Sequence, residues 1–375
     1  MTGRTIKIPL YEPDLTGNEK KYVLDCVESG WISSLGEYVK KFENAVADFT
    51  GAKYAVSICN GTAALHTALL ALGIGVGSEV IVPTLTYIAS VNAVTYTGAR
   101  AVFCDSLKED WNINPEEIKK KITKKTKAIL PVHLYGFPCD MDSITNIAAE
   151  YGLKVIEDCA EGFGTRIGGK HAGTFGGIGM FSFFGNKTIT TGEGGMLITS
   201  DEKLFNNIKM IKGQGQSFTK RYWHEIIGYN YRMTNIQAAI GLAQIERIDK
   251  ILQRKHEIAA AYRELLKGAG VEFQKTKPGN APSDWLISVL LPEGADRDKA
   301  ISVMAEMGVD TRPVFYCASD MPMYLSKLNE ERFYKAEDIS ARGISLPSYP
   351  ALKDDDVKTA VDSLKKTINS LTFLC

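Results

Sequence analysis

The chain has 375 residues, enough for two domains. With 45% hydrophobic and 23% charged residues it has the composition of a folded globular protein, which excludes low-complexity disorder, collagen and coiled coil. Forty-four basic residues balance forty-four acidic ones, which argues against holding nucleic acid by counterion release.

Thr16-x-x-Glu19 is a capping-box pattern and opens a predicted helix over 14–30, closed by Gly30. A turn at Ser33-Ser34-Leu35-Gly36 precedes a second helix at 38–50. Short apolar runs then alternate with helical patterns. Strands are predicted at 53–59, 79–83, 100–105, 126–132, 154–158, 179–184 and 194–199, with helices at 61–73, 87–97, 114–122 and 142–151. Val/Ile-rich runs separated by helices indicate a mostly parallel sheet buried on both faces. The last two runs lack a crossover helix, so that pair is open to antiparallel pairing. Beyond 235 the pattern predicts one long helix over 235–266, a strand at 285–292 and helices near 297–307 and 354–371. A large domain over 1–247 and a smaller α+β domain over 248–375 are expected.

Seven cysteines without a Cys-x-x-Cys pair and five scattered histidines predict no zinc site and no disulfide framework, in a reducing, cytoplasmic setting. No run approaches the roughly 20 apolar residues of a membrane span. The start, Met1 to Pro9, lacks the apolar core of a signal peptide.

Three constellations carry chemistry. Asn60-Gly61-Thr62-Ala63 lies between a strand and a helix, where backbone N–H groups and the helix dipole favour phosphate; the same pattern serves an ordinary N-cap. Glu157-Asp158 ends a strand, where ligands of wound sheets bind and where a carboxylate also caps helices. Phe181-Ser-Phe-Phe-Gly-Asn-Lys187 places a lone lysine among apolar and glycine-rich residues, where burial would depress its pKa and make it a nucleophile. Gly192, Gly194 and Gly195 do not match a dinucleotide fingerprint. A phosphate cradle, a strand-end carboxylate and an isolated lysine together suit pyridoxal phosphate, with Tyr87 placed to cover its ring or simply to pack in the core.

These stretches resemble the DegT/DnrJ/StrS sugar aminotransferases over roughly residues 8–372, and within that family the GDP-perosamine-forming branch. The likeness is carried by Trp31-Ile-Ser-Ser, Asn60-Gly-Thr-Ala-Ala-Leu-His, Pro83-Thr-Leu-Thr-Tyr, Val132-His-Leu-Tyr-Gly, Ile156-Glu-Asp-Cys-Ala-Glu, the Lys187 block, Gly228-Tyr-Asn-Tyr-Arg and Thr311-Arg-Pro-Val-Phe. The resemblance implies the aspartate-aminotransferase fold (fold type I) with a seven-stranded sheet, and pyridoxal phosphate, alternating with its pyridoxamine form, as cofactor. Lys187 matches the lysine that holds the cofactor, Asp158 the partner of its ring nitrogen and Tyr87 the ring-stacking aromatic. Gly61, Thr62 and Ser182 match phosphate contacts. Asn230 matches a phosphate contact from a second subunit, implying a homodimer with shared sites. Glu161 stands where many members have Gln near the phenolic oxygen. Trp31, Ser33, Ser34, His133, Arg232 and Arg312 are substrate-side candidates. Cys317 and Ser319 depart from the Pro and His of close relatives.

The resemblance implies transfer of the amino group of L-glutamate to C4 of a nucleotide-linked 4-keto-6-deoxy sugar. GDP-4-keto-6-deoxymannose leads, ahead of dTDP- or UDP-4-keto-6-deoxyglucose. A sugar 3-dehydratase would carry His in place of Lys187, a 3-keto-sugar aminotransferase is harder to separate, and a non-enzymatic descendant would be expected to lose Lys187 or Asp158.

Overall fold

The computed structural model describes residues 6–325 and 331–372. Met1–Thr5 and Cys375, both used in the sequence reading, lie outside them. In chain order come α1 (Glu19–Glu28), α2 (Glu37–Thr50), β1 (Tyr54–Ile58), α3 (Gly61–Ala71), β2 (Glu79–Pro83), α4 (Ala89–Tyr96), β3 (Arg100–Cys104), α5 (Pro115–Lys121), β4 (Thr126–Ile129), α6 (Met141–Tyr151) and β5 (Lys154–Asp158). A short hairpin, β6 (Arg166–Ile167) with β7 (Lys170–His171), precedes β8 (Ile178–Ser182), β9 (Gly195–Thr199) and α7 (Glu202–Lys212). The remainder comprises α8 (Asn235–Ile245), α9 (Ile248–Leu265), β10 (Glu272–Phe273), β11 (Ile287–Leu290), α10 (Arg297–Glu306), β12 (Arg312–Pro313), α11 (Pro322–Leu325), α12 (Tyr334–Arg342), β13 (Gly343–Leu346) and α13 (Asp354–Thr372).

Seven strands form one sheet in the order β1-β9-β8-β5-β4-β2-β3. Strands β8, β5, β4, β2 and β3 pair in parallel, and β9 is antiparallel to both β8 and β1. Six strands therefore point the same way and β9 runs opposite to both of its neighbours, so the β8–β9 pair is antiparallel and the β1–β9 pair is too. Val80, Val82, Ile156 and Leu197 face one core with the inner side of α3, while Ile81, Ile129 and Val155 face another with α5 and α6. A second, antiparallel sheet, β10-β11-β13-β12, packs its apolar face with α9, α10 and α13 around Val289, Ile344 and Leu364. No helix among the described residues is long and apolar enough to cross a membrane.

Two predicted helices end differently from their sequence bounds. The helix expected over 14–30 begins only at Glu19, because Thr16 gives both its N–H and its hydroxyl to Asp14. Asp14 is itself clamped by the Arg247 guanidinium at 2.7 Å, and Glu19 turns inward to accept from Gln244. The long helix expected over 235–266 breaks at Glu246–Arg247 for the same reason: Gln244 and Arg247 are drawn to the 14–19 segment, and Arg247 leaves helical geometry at φ −117°. The hairpin β6–β7, the short strands β10, β12 and β13, and the helices α7 and α12 were not anticipated. Two-residue strands carry no readable period, and α7 begins at an Asp201 N-cap directly after β9.

Alternate residues of a strand face opposite sides, and this separates the paired acids at the end of β5. Glu157 turns away from the strand ends and accepts from the backbone N–H groups of Gly173, Phe175 and Gly176 at 2.7–2.8 Å. It also meets His133 Nε2 at 3.2 Å. Glu157 is thus a structural acid. Replacing it by Ala strands buried donors, and the urea midpoint should fall by the equivalent of about 3 kcal/mol. Asp158→Asn should change stability by less than about 1 kcal/mol in the same titration, since a buried carboxylate costs desolvation that an amide avoids.

Candidate active site

The carboxyl ends of β1, β2, β4, β5 and β8 open into one cavity of about 620 Å³. At one end lies the start of α3. Asn60 caps this helix by accepting from the Ala63 N–H at 2.8 Å, and Gly61 and Thr62 form its first turn on the cavity wall. Ser182, at the end of β8, closes the opposite side. A Cβ at Gly61 would stand 3.0 Å from Ser182 Cβ and 3.2 Å from its hydroxyl. The missing side chain keeps this cradle open, and helix N–H groups with a hydroxyl suit a phosphate.

Asp158 occupies the floor, 3% exposed. Its carboxylate accepts from Ser90 Oγ at 2.7 Å and from the Ala160 N–H at 3.0 Å. Burial pushes its pKa up, while Ser90, the Ala160 N–H, Lys187 and His133 pull the other way. A cationic ring nitrogen is a fitting partner for such a buried carboxylate.

Lys187 closes the third side. Its backbone N–H bonds Phe184 O at 2.9 Å in a tight turn, and its carbonyl accepts from the Tyr11 hydroxyl. The amine stands 3.9 Å from the centroid of the Trp285 ring and 3.8 Å from Glu161 Oε1. Burial pushes the Lys187 pKa down, opposed by Glu161 and Asp158. Glu161 is pushed up to about 7 by burial, although Lys187 and the Tyr135 N–H favour its ionised form. That N–H reaches Glu161 Oε2 at 2.6 Å. Phosphate cradle, carboxylate and amine thus surround one space, and the donor set fits pyridoxal phosphate.

Of the other residues singled out by sequence, Tyr87 lines the cavity, its ring 5.5 Å from that of Phe315. His133 is fully buried behind the wall, with its ring nitrogens on Glu157 and on the Cys139 N–H. His133, Glu157 and Cys159 come within 4.8 Å of one another, but Glu157 is already engaged by backbone donors. Trp31, Ser33 and Ser34 sit on a surface turn away from the cavity lining, fastened by Asn235, which donates to Trp31 O and accepts from Tyr38 N–H. Gly36 in that turn must lack a side chain, since a Cβ would fall 2.0 Å from Asn235. Asn230 and Arg232 bond each other on the surface, and Arg312 pairs with Asp310; none of these lines the cavity within this chain. Sequence reasoning missed Ser90, Tyr135, Trp285 and Phe315. Ser90 lies one helical turn after Tyr87 and carried a weak signal; Tyr135 and Phe315 stand inside two of the stretches that carry the resemblance but had no role assigned, and Trp285 lies in none of them.

A profile of the DegT/DnrJ/EryC1/StrS aminotransferase family matches residues 13–365. GDP-perosamine synthase of Escherichia coli O157:H7 is 51% identical, with 96% of this chain and 98% of that one covered. GDP-perosamine synthase of Vibrio cholerae is 46% identical, covering 97% of this chain and all of that one (100%). Among solved structures, Spr1654 of Streptococcus pneumoniae in its PMP form superposes with a TM-score of 0.93 at 27% identity, covering 98% of this chain and 99% of that one.

Ser90→Ala removes a hydroxyl donor from a buried carboxylate, an interaction of about 1.5–3 kcal/mol. The Asp158 pKa, already raised by burial, should rise further once this donor is lost, and the acid limb of the pH–activity profile should move to higher pH with the alkaline limb unchanged.

Proposed function

The chain belongs to the DegT/DnrJ/EryC1/StrS aminotransferase family, and from that premise we propose that it is a GDP-sugar 4-aminotransferase that forms GDP-perosamine. It is a pyridoxal-phosphate-dependent enzyme. The substrate is GDP-4-keto-6-deoxy-D-mannose and the amino donor L-glutamate. The observation that carries the reading is the placement of the Lys187 amine in a cavity with a buried carboxylate on its floor and a helix N-terminus at its end. Near-complete coverage of GDP-perosamine synthases supports the substrate.

When bound, the cofactor accepts an amino group and delocalises the electron pair left at a substrate carbon. The chain supplies the rest. The α3 N-terminus and Ser182 hold the phosphate, and Asp158 holds the ring nitrogen in its protonated form. Tyr87 covers the ring. Lys187 Nζ takes the proton from the α-carbon of glutamate and later delivers one to C4 of the sugar, as base and then acid. Trp285, Phe315 and Tyr135 form the apolar side that keeps water from the amine.

A homodimer completes the reading. Leu24, Val27, Trp31, Ile32 and Leu35 are exposed apolar residues on one stretch of chain, and Trp223, Ile226 and Ile227 are exposed on the loop before Asn230. Exposed apolar residues gathered so closely in sequence suit an association face. Asn230, off the cavity wall of its own chain, would then reach the phosphate of its partner's site.

Lys187→Ala should abolish the lysine-bound cofactor absorbance and lower turnover by more than about 10³-fold, with the dimer retained in sedimentation. Surviving turnover would remove Lys187 from the mechanism. For the substrate, the protein is bleached with L-glutamate, freed of donor, and given one ketone at a time. The absorbance should return with the GDP-mannose-derived ketone. Return only with a dTDP- or UDP-glucose-derived ketone would move the assignment to viosamine-type synthesis.

A further inference from the structure

Glu161 is a carboxylic acid 2% exposed, facing an amine 3.8 Å away. Its two oxygens have different surroundings. Oε2 is fixed by the Tyr135 N–H at 2.6 Å, which leaves Oε1 turned toward Lys187 Nζ. The fixing donor is itself rigid. Tyr135 sits at φ +55°, in the left-handed region, and its ring stacks on Trp285 and Phe315 at centroid distances of 6.0 and 5.2 Å. Its phenol accepts from the Phe315 N–H at 2.9 Å. Swinging the carboxyl away would break its hydrogen bond to a backbone N–H that the stacked Tyr135 ring holds in place. At 3.8 Å the charged pair gains little Coulomb energy against its desolvation, and the amine, on its flexible four-carbon stem, must close to hydrogen-bond distance to pass a proton. A carboxamide here could hydrogen-bond but could not carry a proton.

We propose that Glu161 Oε1 is the proton acceptor for Lys187: before the amine attacks a carbonyl carbon, one N–H bond of its ammonium breaks and an O–H bond forms on Glu161. The proton returns when the amine is next protonated, so atoms and charge balance within the pair and no other reactant is required. The inference rests on the cofactor reading above and is independent of the sugar.

Other titratable groups face the pair. Asp158 lies on the floor, and Glu193, His66 and Tyr231 line the same cavity. His133 and Glu157 sit behind the wall, and the Tyr11 phenol bonds the Lys187 carbonyl rather than its amine. Asp158 favours a charged lysine and a protonated Glu161. Trp285 also favours the ammonium through its ring face. Burial thus favours the transfer, Trp285 opposes it, and Asp158 acts on both partners in opposite senses.

The pair has a kinetic signature. Ammonium–carboxylate and amine–carboxylic acid carry the same number of protons, so their ratio does not change with pH between the two titrations of the pair. An amine without an acceptor gains reactivity by about tenfold per pH unit below its pKa. The experiment measures the rate at which the cofactor-free protein captures pyridoxal phosphate, followed by absorbance across pH. Acylation of Lys187 by acetic anhydride in the same cofactor-free protein, read by mass spectrometry, is the second measure. Wild type should give a flat segment above about pH 7, the value to which burial lifts Glu161, and below the pH at which the pair loses its second proton. Glu161→Gln should bind cofactor but replace the flat segment by a rise of about tenfold per pH unit, and Glu161→Asp should restore the flat shape at a lower rate. Parallel profiles in wild type and Glu161→Gln would overturn the proposal. If neither protein captured cofactor, the cofactor reading would fail, while the acylation profiles would still decide the proton transfer.

Discussion

Two carboxyl groups and one amine are buried together at the carboxyl edge of a parallel sheet, and much of the surrounding architecture answers the cost of placing them there. In a low-dielectric site each group is pushed toward its neutral form. Burial raises Asp158 and Glu161 and lowers Lys187. What keeps them usable is a set of fixed dipoles: Ser90 and the Ala160 N–H on Asp158, and the Tyr135 N–H on Glu161. The N-terminus of α3 adds partial positive charge at the far end of the same cavity. A bound dianionic phosphate and a cationic ring nitrogen complement the arrangement charge for charge.

The same constraint explains how the second sheet is joined to the first. Water must be kept from the amine, and the strand ends alone cannot cover it. Trp285, just before β11, supplies the cover, and its indole N–H donates to Asn186 O at 2.6 Å, beside Lys187. The Trp285 carbonyl is held in turn by the buried Lys255 amine, which also bonds Ser348 O and Ser348 Oγ. Burial brings Lys255 down to about 7, opposed by Asp284. The left-handed backbone at Tyr135 costs about 1–3 kcal/mol where a residue other than glycine adopts it. Stacking on Trp285 and Phe315 and the Phe315 N–H offset it. Tyr135 is thus the joint between the sheet carrying the lysine and the segments that enclose it.

The order of strands and crossover helices was legible because long Val/Ile runs separated by helices admit few arrangements, and the site motifs were legible because each sits directly at a strand end. Asp158, Lys187 and the Asn60–Thr62 turn could be singled out on that ground, with a plain capping role left open for Asp158 and the Asn60 turn. The break between α8 and α9 could not, because Gln244 and Arg247 look like ordinary helical residues until the 14–19 segment lies beside them. Glu157 and Asp158 read as a pair, yet strand alternation sends them to opposite tasks. His133 read as a substrate-side residue for lack of any sign that Glu157 would hold its ring nitrogen. Trp285 lies in no motif and Phe315 ends one that is far along the chain from Lys187, and only tertiary packing brings them to the same cavity.

The two departures in the loop after β12 are also decided by packing. Cys317 and Ser319 are buried and do not line the cavity. Ser319 Oγ accepts from Thr84 Oγ1 at 2.7 Å, the Ala318 N–H donates to Thr84 O at 2.7 Å, and Cys317 bridges Leu85. These contacts fasten the loop to the segment that leads from β2 to Tyr87. The two departing residues therefore lie off the cavity lining, while Phe315 and Tyr87 are on it. A small hydroxyl that pairs with Thr84 performs the fastening without projecting into the substrate space. Both residues thus act on how the loop is fastened to the segment that carries Tyr87.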